Sequence, residues 1–146
     1  MLIGQYETKI TGKRRVAIPK RFRDELGDTY VLARWYEGCI VMVSINSWTT
    51  LTSRVTPQGG FVTSAVRDTD RFLMASAYEL TSDEQGRIVL PKLLTDHAGI
   101  SKDVVFLGLG DRVELWDKAV WLMHEEKVKE EAAQLIERVA QSHDNA

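Results

Sequence analysis

Four short runs, TYVLARW, GCIVMVS, DVVFLGL and RVELWD, are rich in β-branched, aromatic and other apolar residues. Such runs predict strands, and the Gly- or Asp-containing turn inside each pair predicts two hairpins. Elsewhere the apolar spacing follows the helical period. SWTTLTSRV and FVTSAVRDTDRFLMASA read as helices on either side of a break at Pro57, Gln58, Gly59 and Gly60. Asp117 is placed to cap a last, heavily charged helix through WLMHEEKVKEEAAQLIERVAQ, with Val120, Met123, Val128, Leu135 and Val139 among its apolar positions.

The pattern occurs twice. Placing Arg15 on Arg87, an offset of 72, aligns RVAIPKRFRDELG with RIVLPKLLTDHAG. Arg15/Arg87, Pro19/Pro91, Lys20/Lys92, Asp24/Asp96 and Gly27/Gly99 are identical, and one inserted residue later Trp48 falls on Trp121. Each copy reads as strand, tight polar turn, strand, short helix and two strands. The prolines are expected to open the short helices as their first residues, and Gly27 and Gly99 to end them in a left-handed cap. A β-β-α-β-β unit of roughly 45 residues is too small to bury its apolar face alone, so the two copies are expected to pack on each other as a pseudo-dimer. The fold class predicted is α+β. Residues 1–50 form a first repeat, 51–75 a helical connector, 76–119 a second repeat and 120–146 a C-terminal helix, the repeats packing as one unit.

Composition narrows the function. With 44% apolar and 27% charged residues the chain is an ordinary globular protein. It has no apolar run of membrane-spanning length and no secretory pattern at its start, which predicts a cytosolic protein away from the membrane. The single cysteine, Cys39, is read as a buried structural thiol. The net charge of -2 conceals two unlike halves: residues 1–72 carry 11 Lys and Arg against 7 Asp and Glu, residues 73–146 carry 8 against 14.

Catalytic and metal chemistry find little support. His97, His124 and His143 are scattered, and no ligand spacing, P-loop or nucleophile motif is present, so neither cofactor nor metal is expected. Gly108-Leu109-Gly110 reads as a hairpin turn. The stretch from Lys9 to Arg23 is different, holding seven basic residues and no acidic one. Charge runs are usually solvated surface, but like charges this close repel, a cost that a polyanion would offset. Lys13, Arg14 and Arg15 sit at a predicted hairpin tip, and Lys20, Arg21 and Arg23 on the adjacent helix. These six are the candidate DNA-binding residues, with Arg14 and Arg15 suited to guanine edges and Lys13, Lys20 and Arg21 to phosphates. Arg87 and Lys92 are weaker candidates from the second copy, where Asp83 and Glu84 flank Arg87 and Asp83 itself reads as a turn-stabilising residue with Gly86 at positive φ.

Asp83-x-x-Gly86-Arg87-x-x-x-Pro91, with its partner Thr11-x-Lys13-Arg14-Arg15-x-x-x-Pro19-x-x-x-Arg23, resembles the twofold D-x-K-G-R-x-x-x-P-x-x-x-R pattern of MraZ proteins. The likeness covers nearly the whole chain. It implies a swapped-hairpin (AbrB-like) barrel, a non-enzymatic transcriptional regulator, double-stranded DNA carrying short repeats upstream of the division and cell-wall gene cluster, a homo-oligomeric ring, and a cytoplasmic, nucleoid-associated location. The chain departs from the pattern at Thr11 and Arg14 in the first copy and at Gln85 and Thr95 in the second; Arg14 adds charge where the pattern has glycine. Two rivals are an antitoxin-like partner-binding module on the same barrel, which would need a disordered tail, and an enzyme with a site in the barrel cleft.

Overall fold

The computed structural model describes residues 1–56 and 62–144. The expected break at Pro57–Gly60 lies outside the described residues. Eight strands and five α-helices follow in order: β1 Leu2–Lys9, β2 Arg15–Ala17, α1 Lys20–Leu26, β3 Thr29–Arg34, β4 Ile40–Ser44, α2 Ile45–Val55, α3 Ser64–Leu73, β5 Tyr78–Thr81, β6 Arg87–Val89, α4 Lys92–Ala98, β7 Asp103–Gly110, β8 Val113–Asp117 and α5 Lys118–Asp144. The fold is mixed α+β. Among the described residues no helix is long and apolar enough to cross a membrane.

Six strands form one antiparallel sheet in the order β1-β7-β8-β4-β3-β5, and β2 and β6 form a separate antiparallel ribbon. Exchanging the two copies turns this order into its own reverse, so a pseudo-twofold axis passes between β4 and β8. The hairpins β3–β4 and β7–β8 lie within their copies. The opening strands do not: β1 pairs along its whole length with β7, β5 pairs with β3, and β2 pairs with β6. Within the first copy, β1 and β2 are joined only by the bridge between Thr11 and Arg15. Each polar turn therefore belongs to a hairpin whose arms find their partners in the other copy.

Successive strand residues point to opposite faces, so runs that are apolar at nearly every position supply two cores, one on each side of the sheet. On one face of the sheet Tyr30, Leu32, Ile40, Met42, Val104 and Phe106 pack with Val16, Ile18 and Phe22 of the first copy and Ile88, Leu90 and Leu94 of the second. On the other, Val31, Val41, Val43, Val105 and Trp116 pack with Leu51 of α2, Leu73 of α3 and Trp121 of α5. Cys39 is buried, and burial together with the neighbouring Glu114 carboxylate pushes its thiol far up, as a structural role requires. The β3–β4 and β7–β8 hairpins hand the chain to helices in the same way. Ser44 Oγ accepts from the Ser47 amide at 3.3 Å to cap α2, and Asp117 Oδ2 accepts from the Val120 amide at 3.2 Å to cap α5.

Two local expectations need correction. Pro19 and Pro91 precede the helices instead of opening them: their ψ angles of 133° and 141° are extended, while their carbonyls accept the first helical amides. Gly99 takes the left-handed cap, but Gly27, at φ 85° and ψ -153°, lies in a different region open to glycine.

Gly108 lets β1 close onto β7. A Cβ there would lie 2.5 Å from the Ile3 nitrogen and 2.7 Å from the Leu2 carbonyl carbon, both backbone atoms that cannot step aside alone. Gly108→Ala should therefore destabilise the chain by about 1–3 kcal/mol, and thermal denaturation should show it. An unchanged melting temperature would mean that β1 is not held at this distance.

Candidate nucleic-acid interface

The basic stretch folds into the turn between β1 and β2, the strand β2 and the helix α1. Thr11 closes the turn: its amide donates to the Arg15 carbonyl at 2.8 Å, its hydroxyl donates to the same oxygen at 3.2 Å, and its own carbonyl accepts from the Arg15 amide at 3.3 Å. Lys13 and Arg14 lie inside at φ 62° and 56°, a region where a side chain costs about 1 kcal/mol or more per residue. The charge at Arg14 leaves the turn formed, with the strain retained.

The second turn shows what the first has lost. Asp83 Oδ1 accepts the amides of Gln85 and Arg87, both at 2.9 Å, and its Oδ2 accepts from Arg87 Nε at 3.0 Å. The amides of Arg87 and Gln85, then the Arg87 guanidinium, hold the Asp83 carboxyl below the usual aspartate range. Gly86 sits at φ 74°, and a Cβ on it would lie 2.5 Å from Arg23 Cζ. Arg87 is thus tied to its own turn. Arg15, opposite a Thr11 that bears no charge, is not.

The ribbon carries these differences onto one surface. Val16 faces Ile88 in the core, so the flanking pairs Arg15–Val89 and Ala17–Arg87 share the outward face. Among the described residues, Lys13, Arg15 and Arg21 have no carboxylate partner. Lys20 pairs with Asp24 at 3.0 Å and Lys92 with Asp96 at 2.6 Å, both across exposed helix faces where such pairs contribute little. Arg14 and Arg23 are engaged otherwise: Arg14 Nε donates to the Leu90 carbonyl at 2.8 Å, and Arg23 Nε to the Ile18 carbonyl at 3.0 Å. The six first-copy candidates therefore fall in two groups: Lys13, Arg14 and Arg15 in the turn that meets Leu90 ahead of α4, and Lys20, Arg21 and Arg23 on α1, where Arg23 lies against Gly86 of the second turn. Val89 was not singled out from sequence, although the two-residue period puts it on the face of Arg15.

An open cleft of about 330 Å³ beside α2 is lined by Ser44, Ser47, Thr50, Arg54 and Asp111, with Arg54 paired to Asp111. Burial would raise the Asp111 carboxyl, but hydrogen bonds from Arg54 and Arg112 outweigh it and hold it below the usual range. Among the described residues no group of three His, Cys, Asp or Glu is placed to hold a metal ion.

Because the folded-state value of Asp83 is depressed, its contribution to stability is present above about pH 4 and lost as pH falls through the lower folded value. Unfolding midpoints measured between about pH 5 and pH 2 should fall less steeply for Asp83→Asn than for the natural chain. Equal slopes would show that the turn does not depend on this carboxylate.

Comparison with known proteins bears on this surface. Residues 73–142 match the family described as "MraZ protein, putative antitoxin-like". The Transcriptional regulator MraZ of Thermoanaerobacter pseudethanolicus is 42% identical over 121 residues, covering 83% of this chain and 84% of that protein. The protein of the same name from Acetivibrio thermocellus is 34% identical over 140 residues, 96% of this chain and 97% of its own. That from Bifidobacterium longum is 35% identical over 121 residues, 83% and 80% of the two chains.

Proposed function

The chain belongs to the MraZ family of transcriptional regulators, and we propose that it regulates transcription by laying the basic turn Lys13–Arg15 against double-stranded DNA. The observation that carries this reading is the contrast between two equivalent turns. One has its arginine neutralised by Asp83, and the other presents Arg15, which has no carboxylate partner among the described residues, beside Lys13. Arg15 stands on a ribbon of two antiparallel strands, an element that the major groove admits, and its fork matches guanine O6 and N7. Lys13, Lys20 and Arg21 supply phosphate contacts that set position and salt dependence. Arg87 and Lys92 contribute less, because Asp83 and Asp96 occupy them. Arg14 lies within the turn, and Arg23 stands on α1.

The same reading covers the architecture. The exchange of β1, β2, β5 and β6 between copies fits a swapped-hairpin, AbrB-like barrel whose two repeats act as a pseudo-dimer. The partners are a ring of identical subunits and short DNA repeats upstream of the division and cell-wall genes, met at the nucleoid in the cytoplasm. Repeated weak contacts in fixed geometry would then act together through effective concentration. The exposed Met123, Ile136 and Val139 of α5 offer apolar surface for subunit packing. An antitoxin-like role is less well supported, since the tail that would wrap a partner is a helix from Lys118 to Asp144.

A fluorescence titration with duplex DNA from upstream of its own gene should give log K falling by about 0.9 per phosphate neutralised per tenfold rise in salt, for three to five phosphates per subunit. Flat salt dependence would remove the electrostatic basis of the proposal. Arg15→Ala should lower the preference for repeat over scrambled duplex by about tenfold or more, a loss of about 1–3 kcal/mol, with the oligomer unchanged on sizing. Dissociation of the oligomer instead would make Arg15 structural.

A further inference from the structure

We infer that Arg14 and Thr95 are the two sides of one compensated exchange across the pseudo-twofold axis, which makes Arg14 a positioning residue for the DNA-facing ribbon and not a reader of bases. The functional half of this inference rests on the DNA-binding reading above.

At the repeat offset of 72, Arg14 corresponds to Gly86, Thr95 to Arg23 and Leu90 to Ile18. In one half of the molecule the guanidinium comes from the helix. Arg23 on α1 donates through Nε to the Ile18 carbonyl, and its planar head lies over Gly86, in the space a Cβ there would enter. In the other half the helix offers Thr95, buried on α4, its short hydroxyl donating back to the Lys92 carbonyl at 3.1 Å. The guanidinium there comes from the opposite turn: Arg14 donates through Nε to the Leu90 carbonyl. Both halves thus hold one guanidinium on the same carbonyl, at the strand end just before the proline.

The physical reason is satisfaction of that carbonyl. Ile18 and Leu90 are 2% and 0% exposed, and each has its amide already committed to the facing turn, Ile18 to Gly86 and Leu90 to Arg14. A buried carbonyl without a donor is costly, and a charged donor supplies the stronger bond. One site accommodates one guanidinium; two would meet as like charges in a half-buried place. Taken singly, Arg14 for Gly and Thr95 for Arg each break the repeated motif. Taken together they conserve one hydrogen bond while moving its donor from helix to turn. Arg14 consequently grips Leu90 twice, through its Nε and through its own carbonyl, which accepts the Leu90 amide at 2.8 Å. This double grip holds the positive-φ turn and so aims Lys13 and Arg15.

The test is a thermal-melting cycle on the full chain with Arg14→Gly, Thr95→Arg and the double variant. Thr95→Arg should lower Tm by about 3–8 °C and Arg14→Gly by less, because glycine relieves the positive-φ strain while losing the bond, whereas Thr95→Arg made in the Arg14→Gly background should raise Tm to that of the natural chain or above. If Thr95→Arg alone does not fold, a folded double variant still shows the reversal of sign. A Thr95→Arg effect of the same sign and size in both backgrounds, or a double variant that also fails to fold, overturns the exchange. In titrations with repeat and scrambled duplex, the double variant should keep its discrimination within about threefold; a loss of tenfold or more would assign base reading to Arg14 and overturn the positioning role. Should the natural chain not bind duplex at all, the DNA-binding proposal fails, and the melting cycle still decides the exchange.

Discussion

Three residue pairs, Arg15–Val89, Val16–Ile88 and Ala17–Arg87, join the two halves of this chain at the place where its charge is concentrated. Neither repeat could form this ribbon alone, and without it Val16, Ile18, Ile88 and Leu90 would lose the cover they give the sheet. Because the pairing is between copies, each polar turn is braced from outside itself. The Gly86 carbonyl takes the Ile18 amide, and the Arg14 carbonyl takes the Leu90 amide. A loop that would otherwise sample many conformations is held at both ends by the opposite repeat, so a strained backbone at Lys13 and Arg14 can persist.

Duplication then permits division of labour. The fold asks both copies for an apolar strand, a proline at the strand end and a closed turn, and both supply them. Charge is distributed differently. The second turn spends Asp83 on closing itself and on its own arginine; the first closes through Thr11 and leaves Arg15 without a carboxylate. An acidic second half and a long charged α5 can coexist with a basic surface because the first copy gathers its cations in the turn before β2 and on α1. The enzyme reading finds no support in the homologues, which are named transcriptional regulators.

Much of the fold was legible because local chemistry determines it. Apolar, β-branched runs gave the central hairpins, Asp117 capped the helix it was expected to cap, and Asp83 with Gly86 formed the turn that their spacing implied. The crossing of strands between copies was beyond the local pattern. β1 alternates in the same way whether it pairs with β2 or with β7, and only the register set by close approach at Gly108 distinguishes the two. The prolines were displaced by one position because their φ suits either place while the ψ, set by the incoming strand, suits only the outer one. In the basic stretch, charge could be counted from sequence, but engagement could not. That Arg14 and Arg23 reach backbone carbonyls, while Arg15 faces outward, depends on contacts about 76 residues apart for one and five for the other.

Arg15 is the guanidinium proposed to meet DNA most directly, ahead of its repeat counterpart Arg87 and its tethered neighbours Arg14 and Arg23. Arginine Nε–Hε resonances, recorded by NMR as a duplex carrying the upstream repeats is added, report on each side chain separately. The Arg15 signal should shift in a salt-dependent manner, with those of Arg14, Arg23 and Arg87 staying near their starting positions because carbonyls and Asp83 already hold them. A shift at Arg87 with Arg15 unmoved would contradict the account.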